Sequence, residues 1–87
     1  MKEYFIDFSG ITDRSALHSC LKRALELPEY YGCNLDALYD CLAEMPECSI
    51  TFISADTLDC LGQYGKSMIS VFRDAALKNP NIKILTT

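Results

Sequence analysis

An α/β fold is predicted for this chain: a small three-stranded parallel β-sheet packed with about four α-helices. Three observations carry that expectation. Apolar residues alternate with polar ones near the start, and short β-branched or aromatic runs recur near the middle and the end. Each pair of such runs is separated by helical patterns rather than by tight turns. The chain has 87 residues, enough for one domain spanning 1–87, and its 49% hydrophobic and 23% charged composition is that of an ordinary globular protein. Strands joined through helices pair in parallel, with right-handed connections.

Residues Lys2 to Phe8 form the first strand, with Tyr4, Ile6 and Phe8 on one side and Glu3, Phe5 and Asp7 on the other. Phe5 on the second side suggests cover on both faces. After Ser9-Gly10, Asp13 or Ser15 can cap a helix whose apolar stripe is Leu17, Cys20, Leu21, Ala24 and Leu25. His18 lies off that stripe and reads as a solvated surface histidine. Pro28 ends the helix, because the residue before a proline is driven out of the helical region. In the loop that follows, Gly32 supplies a turn tolerant of positive φ.

Asn34 caps a second helix, Leu35 to about Ala43. Ser49 to Ile53 reads as a buried strand. Ser54 caps a short helical piece, Ala55 to Leu61, which Gly62 interrupts. A longer helix, about Gln63 to Lys78, carries Tyr64, Met68, Val71, Phe72 and Ala75 on one face, and Asn79-Pro80 stops it. Ile82 to Leu85 is the last strand.

Composition narrows the partners. Eight Lys+Arg stand against twelve Asp+Glu, a formal charge of −4. Such a surface is repelled by nucleic acid and by anionic membrane, and it suits a basic protein. A chain this short buries only about 60% of its unfolded surface, which leaves little material for a deep active-site cavity. The start, MKEYFIDF, lacks the apolar core of a secretory signal, so the expected location is the cytoplasm. The five cysteines are odd in number, form no CxxC and match no zinc spacing; free thiols, several of them in the core, are expected. No cofactor or metal is expected.

The stretch Leu27 to Leu42, LPEYYGCNLDALYDCL, holds the chemistry. On a helical wheel Leu35, Leu38 and Leu42 share one side, Asp36 and Asp40 the opposite one, with Tyr39 on the margin. Tyr30, Tyr31 and Tyr39 surround the same helix, and tyrosine is a favoured interface residue; one of the three should pack into the core. Gly32 would let a partner approach closely. Two carboxylates one turn apart also occur on ordinary solvated faces, and they could serve a small carboxylate- or metal-dependent hydrolase. No nucleophile–base pair, third acidic ligand or phosphate loop accompanies them, so the expectation is a binding protein and not an enzyme.

The same stretch closely resembles the central segment of the barstar family, intracellular inhibitors of the secreted bacterial ribonuclease barnase. Its pattern is Leu-Pro-x-Tyr-Tyr-Gly-x-Asn-Leu-Asp-Ala-Leu-x-Asp-Cys-Leu, with Glu29, Cys33 and Tyr39 at the looser positions. Weaker similarity extends to Leu17-His18, to VFRDA at Val71 to Ala75 and to the closing strand. The resemblance implies a partner, a basic extracellular-type ribonuclease bound 1:1, whose active site the loop and helix plug. It also implies roles. Asp40 would occupy the phosphate site, Asp36 would be a second acidic contact, and Tyr30 would stack on a catalytic histidine. Asn34 and Leu35 would be loop contacts. Tyr39 stands where the family has a tryptophan, and Asp74 where it has a glutamate that pairs with an arginine. Cys33 replaces an acidic residue, and Ala43-Glu44-Met45-Pro46 replaces a glycine-tryptophan segment. The alternative expectation is an adaptor that uses the same acidic surface for a basic partner that is not a nuclease.

Overall fold

The structure, a computed structural model, describes residues 2–86. Strand β1 (Lys2–Asp7) leads through helices α1 (Arg14–Ala24) and α2 (Leu35–Ala43) to β2 (Cys48–Ile53). A 3-10 helix (Ala55–Leu61) and α3 (Gln63–Lys78) then lead to β3 (Ile82–Thr86). The sheet is parallel throughout, in the order β1-β2-β3, with Tyr4 and Ile84 both in register with Ile50. This is the predicted architecture, with one of the four helices tightened to 3-10 geometry.

Strand order equal to chain order has a consequence for burial. Two right-handed crossovers that step the same way across a sheet lay their helices on the same face. Burial follows that rule: Ile6, Phe8, Cys48, Ile50, Phe52 and Ile82 are buried beneath the helices. On the other face Phe5 is 56% exposed and Leu85 is also exposed. The expectation of cover on both sides of β1 is therefore corrected. Phe5 and Leu85 flank Thr51 in the register, and they shield that central residue.

The core interlocks sheet and helices. The rings of Phe8 and Phe52 meet edge to face at 5.4 Å, and those of Phe52 and Phe72 at 5.0 Å, which ties β1, β2 and α3 together. Such pairs contribute about 1 kcal/mol each beyond their area burial. Leu17 and Leu21 of α1 and Leu38 and Leu42 of α2 fill the same core. Buried Asn79 donates to the carbonyls of Leu42 (3.0 Å) and Met45 (2.9 Å), satisfying the end of α2 from the end of α3.

Local signals at two junctions differ from the sequence reading. Helix α1 ends at Ala24, not at Pro28: Leu27 N–H bonds Lys22 O (2.9 Å) and Glu26 N–H bonds Arg23 O (3.4 Å), with Glu26 at φ 54°. That is a Schellman closure built on a glutamate. Ser54 does not cap with its side chain; its backbone is left-handed, and Thr57 Oγ1 bridges to Ser54 O and Phe8 O. Gly62 does break the helical run, at φ 58° and ψ −132°, a conformation essentially reserved for glycine. All five cysteines are free, and Cys48 alone of them is fully buried.

Candidate partner-binding site

The site is built on the entrance to α2. Asn34 sits in extended conformation and its Oδ1 accepts from Ala37 N–H (2.8 Å), the expected N-cap. Its Nδ2 donates to Gly32 O (3.2 Å), so one side chain both starts the helix and holds the loop. Gly32 does not occupy the left-handed region; Cys33 does, at φ 54°. A Cβ at Gly32 would lie 3.2 Å from Asn34 Nδ2, a tight contact on the side chain that caps α2. Leu38 and Leu42 are buried, Leu35 and Tyr39 are half-buried, and Asp36 and Asp40 are exposed. The wheel placed these faces correctly.

The loop before α2 is anchored from inside. Tyr30 is 86% exposed, whereas its neighbour Tyr31 is 6% exposed, so Tyr31 is the tyrosine that packs into the core. Its hydroxyl lies 2.6 Å from His18 Nδ1, and His18 Nε2 lies 2.6 Å from the hydroxyl of Tyr64. His18 is 3% exposed, which corrects its assignment to the surface.

The hydrogen-bond partners favour one tautomer of His18. Among the described residues the imidazole is the one partner of the buried Tyr31 hydroxyl, an arrangement that favours donation to Nδ1. The Nε2–H then donates to Tyr64, whose half-buried hydroxyl can turn its own proton to water. Burial pulls the His18 pKa below its ordinary value, keeping it neutral, and burial likewise pushes the Tyr31 hydroxyl upward. The hub joins α1, the loop and α3, and it holds Tyr31 in while Tyr30 points out.

On the outer side, Asp36, Asp40 and Asp74 are all exposed, and none makes an ion pair among the described residues. Asp36 and Asp40 share one face of α2; Asp74 stands on α3, which packs against α2. Asp36 is in the first turn, where the helix dipole favours a carboxylate. The arrangement presents fixed negative charge beside an exposed aromatic ring, over a scaffold held by a cap and a buried hub. The ends of α1 and α2 also border an open cleft of about 600 Å³, lined by Arg14, Ser15, Ser19, Asn34, Asp36 and Tyr64 among others. Arg14, Tyr64 and His18 went unnoticed in the sequence as parts of one site. Of the described helices, none is long and apolar enough to cross a membrane.

Comparison with known proteins places the chain in a family. The family model for barstar (barnase inhibitor) matches residues 1–85. A Bacillus subtilis (strain 168) protein named "Putative ribonuclease inhibitor YrdF" is 33% identical over 78 residues, spanning 86% of each chain. The chain belongs to the barstar (barnase inhibitor) family.

Proposed function

We propose that this protein is a ribonuclease inhibitor that binds a basic barnase-type enzyme 1:1 and plugs its active site, acting inside the cell that makes the secreted enzyme. The observation that carries the reading is the pair of exposed carboxylates, Asp36 and Asp40, without an ion pair among the described residues, on a capped helix beside the exposed Tyr30. A ribonuclease must present positive charge to grip the RNA backbone, and carboxylates at phosphate positions satisfy those cations. Asp40 is the centre of the mimic, Asp36 its second charge, and Tyr30 its stacking surface. Asn34, Leu35, Gly32 and Tyr39 complete the contact. Tyr31 supports it from beneath, and Asp74 adds a third carboxylate from α3. No bond is made or broken on this chain; inhibition is occupancy.

The test is to follow RNA cleavage by barnase and by other secreted bacterial ribonucleases with increasing amounts of purified protein. Stoichiometric inhibition of at least one enzyme is expected. Asp40→Ala should weaken it by at least about 30-fold, the scale of a hot-spot truncation. The same variant should change folding stability by less than about 0.5 kcal/mol, because the side chain is exposed and makes no ion pair among the described residues. Undiminished cleavage by every enzyme at stoichiometric protein would overturn the reading.

A further inference from the structure

Arg14 opens α1 and is exposed, yet its guanidinium has a fixed seat. Its central carbon lies 4.1 Å from the centroid of the Tyr64 ring. Tyr64 is held in turn by the hydrogen bond from His18. A cation stacked on an aromatic face is presented in one place and has less side-chain freedom left to lose on binding. Arg14 makes no ion pair among the described residues. Arg14 stands in the first turn of α1, where the helix dipole disfavours positive charge; the N-cap Asp13, its Oδ1 accepting from Ala16 N–H, offsets part of that cost.

Arg14 lines the same cleft as Asn34 and Asp36, so the cleft is continuous with the proposed contact surface. Against a basic enzyme, a fixed cation at this edge is repulsive unless the enzyme supplies a negative group opposite it. The hydroxyls of Ser15 and Ser19, which line the cleft too, are further donors for such a group.

We propose that Arg14 is a specificity-determining contact: the cleft between the N-terminal ends of α1 and α2 takes an acidic side chain of the ribonuclease, set beside the cation that meets Asp36. This rests on the ribonuclease-inhibitor reading above. An enzyme with an acid at that place gains a charge-assisted contact, and one with a lysine or arginine there is rejected by like-charge repulsion. The cleft thus selects among enzymes that all satisfy Asp36 and Asp40.

The test has opposite signs for the two outcomes. Binding kinetics are measured for wild type, Arg14→Lys, Arg14→Gln, Arg14→Glu and Asp40→Ala against barnase and other secreted bacterial ribonucleases. The enzyme bound most tightly serves as the probe. If Arg14 were only a surface cation, Arg14→Glu would move the formal charge from −4 to −6 and bind the basic enzyme faster and more tightly. The contact requires the reverse: Arg14→Gln weakens binding about tenfold and Arg14→Glu about a hundredfold, with Arg14→Lys between Arg14→Gln and wild type. Replacing the opposing enzyme acid by lysine then restores binding to Arg14→Glu. Thermal melts monitor the fold, and Arg14→Gln carries the test if the glutamate variant is unstable. Wild-type or tighter binding by Arg14→Gln and Arg14→Glu overturns the inference, while loss of binding by Asp40→Ala in the same series leaves the inhibitor reading standing. If wild type binds none of the enzymes, both fall together.

Discussion

His18 is the residue whose chemistry reaches furthest through the molecule. Both its ring nitrogens are used, and the Tyr31 hydroxyl has no other acceptor among the described residues. Removing the imidazole in His18→Ala leaves a buried hydroxyl unsatisfied and opens a cavity, which together cost about 3 kcal/mol. The pH dependence has a definite sign. Burial lowers the folded pKa below 6.5, so between the two values the unfolded chain binds a proton that the folded one refuses. The stability due to neutral His18 is complete above the ordinary value and is lost as pH falls below it. The melting temperature should therefore fall from pH 7 to pH 5.5, and His18→Gln, though less stable at pH 7, should show a flatter slope. An unchanged slope would mean that other groups set it. The hub was illegible in the sequence for a simple reason. His18 lies 100° from the Leu17 position on a helical wheel, and its partners are 13 and 46 residues away, beyond any local pattern.

At the scale of elements, caps and breakers were legible where one side chain does the work, and illegible where backbone geometry does it. Asn34 announces α2 because its side chain must satisfy an orphan N–H, and Asp13 likewise bonds Ala16 N–H at 2.7 Å. Glu26 and Cys33, both left-handed, carry no such signature, since neither is a residue that favours this conformation. The residues with a recognisable signature are their neighbours Pro28 and Gly32. Cys33→Gly relieves the backbone penalty of a side chain at φ 54° but adds chain entropy to the unfolded state, leaving a gain of about 0.5–1 kcal/mol. Urea melts should show the higher midpoint, with affinity for the ribonuclease unchanged, since the loop keeps its path. A lower midpoint would show that the contact of the thiol with Tyr31 O, at 3.8 Å, outweighs the strain. Phe5 teaches the same lesson in the sheet. An apolar residue on the second side of a strand does not reveal cover there, because the hand of two crossovers decides which face the helices take.

At the scale of the whole molecule, charge decides how a partner arrives. Net charge and the outward face of α2 were both legible, because each follows from counting and from helical periodicity. Whether that charge acts as a field or only as a set of contacts depends on salt. The domain measures 30 × 29 × 20 Å. At 0.01 M ionic strength the Debye length is about 30 Å, so an approaching basic enzyme responds to the summed charge of −4. Near 0.3 M the length shrinks to well under 10 Å, and only side chains close to contact are felt. The association rate constant with an inhibited ribonuclease should accordingly fall by at least about tenfold between these salts. The dissociation rate should change far less, because in the proposed complex Asp36 and Asp40 lie against the enzyme's cations with little intervening solvent. Stopped-flow mixing separates the two. An association rate indifferent to salt would mean that Tyr30 and its apolar neighbours govern the encounter, and that the acidic face acts only after docking.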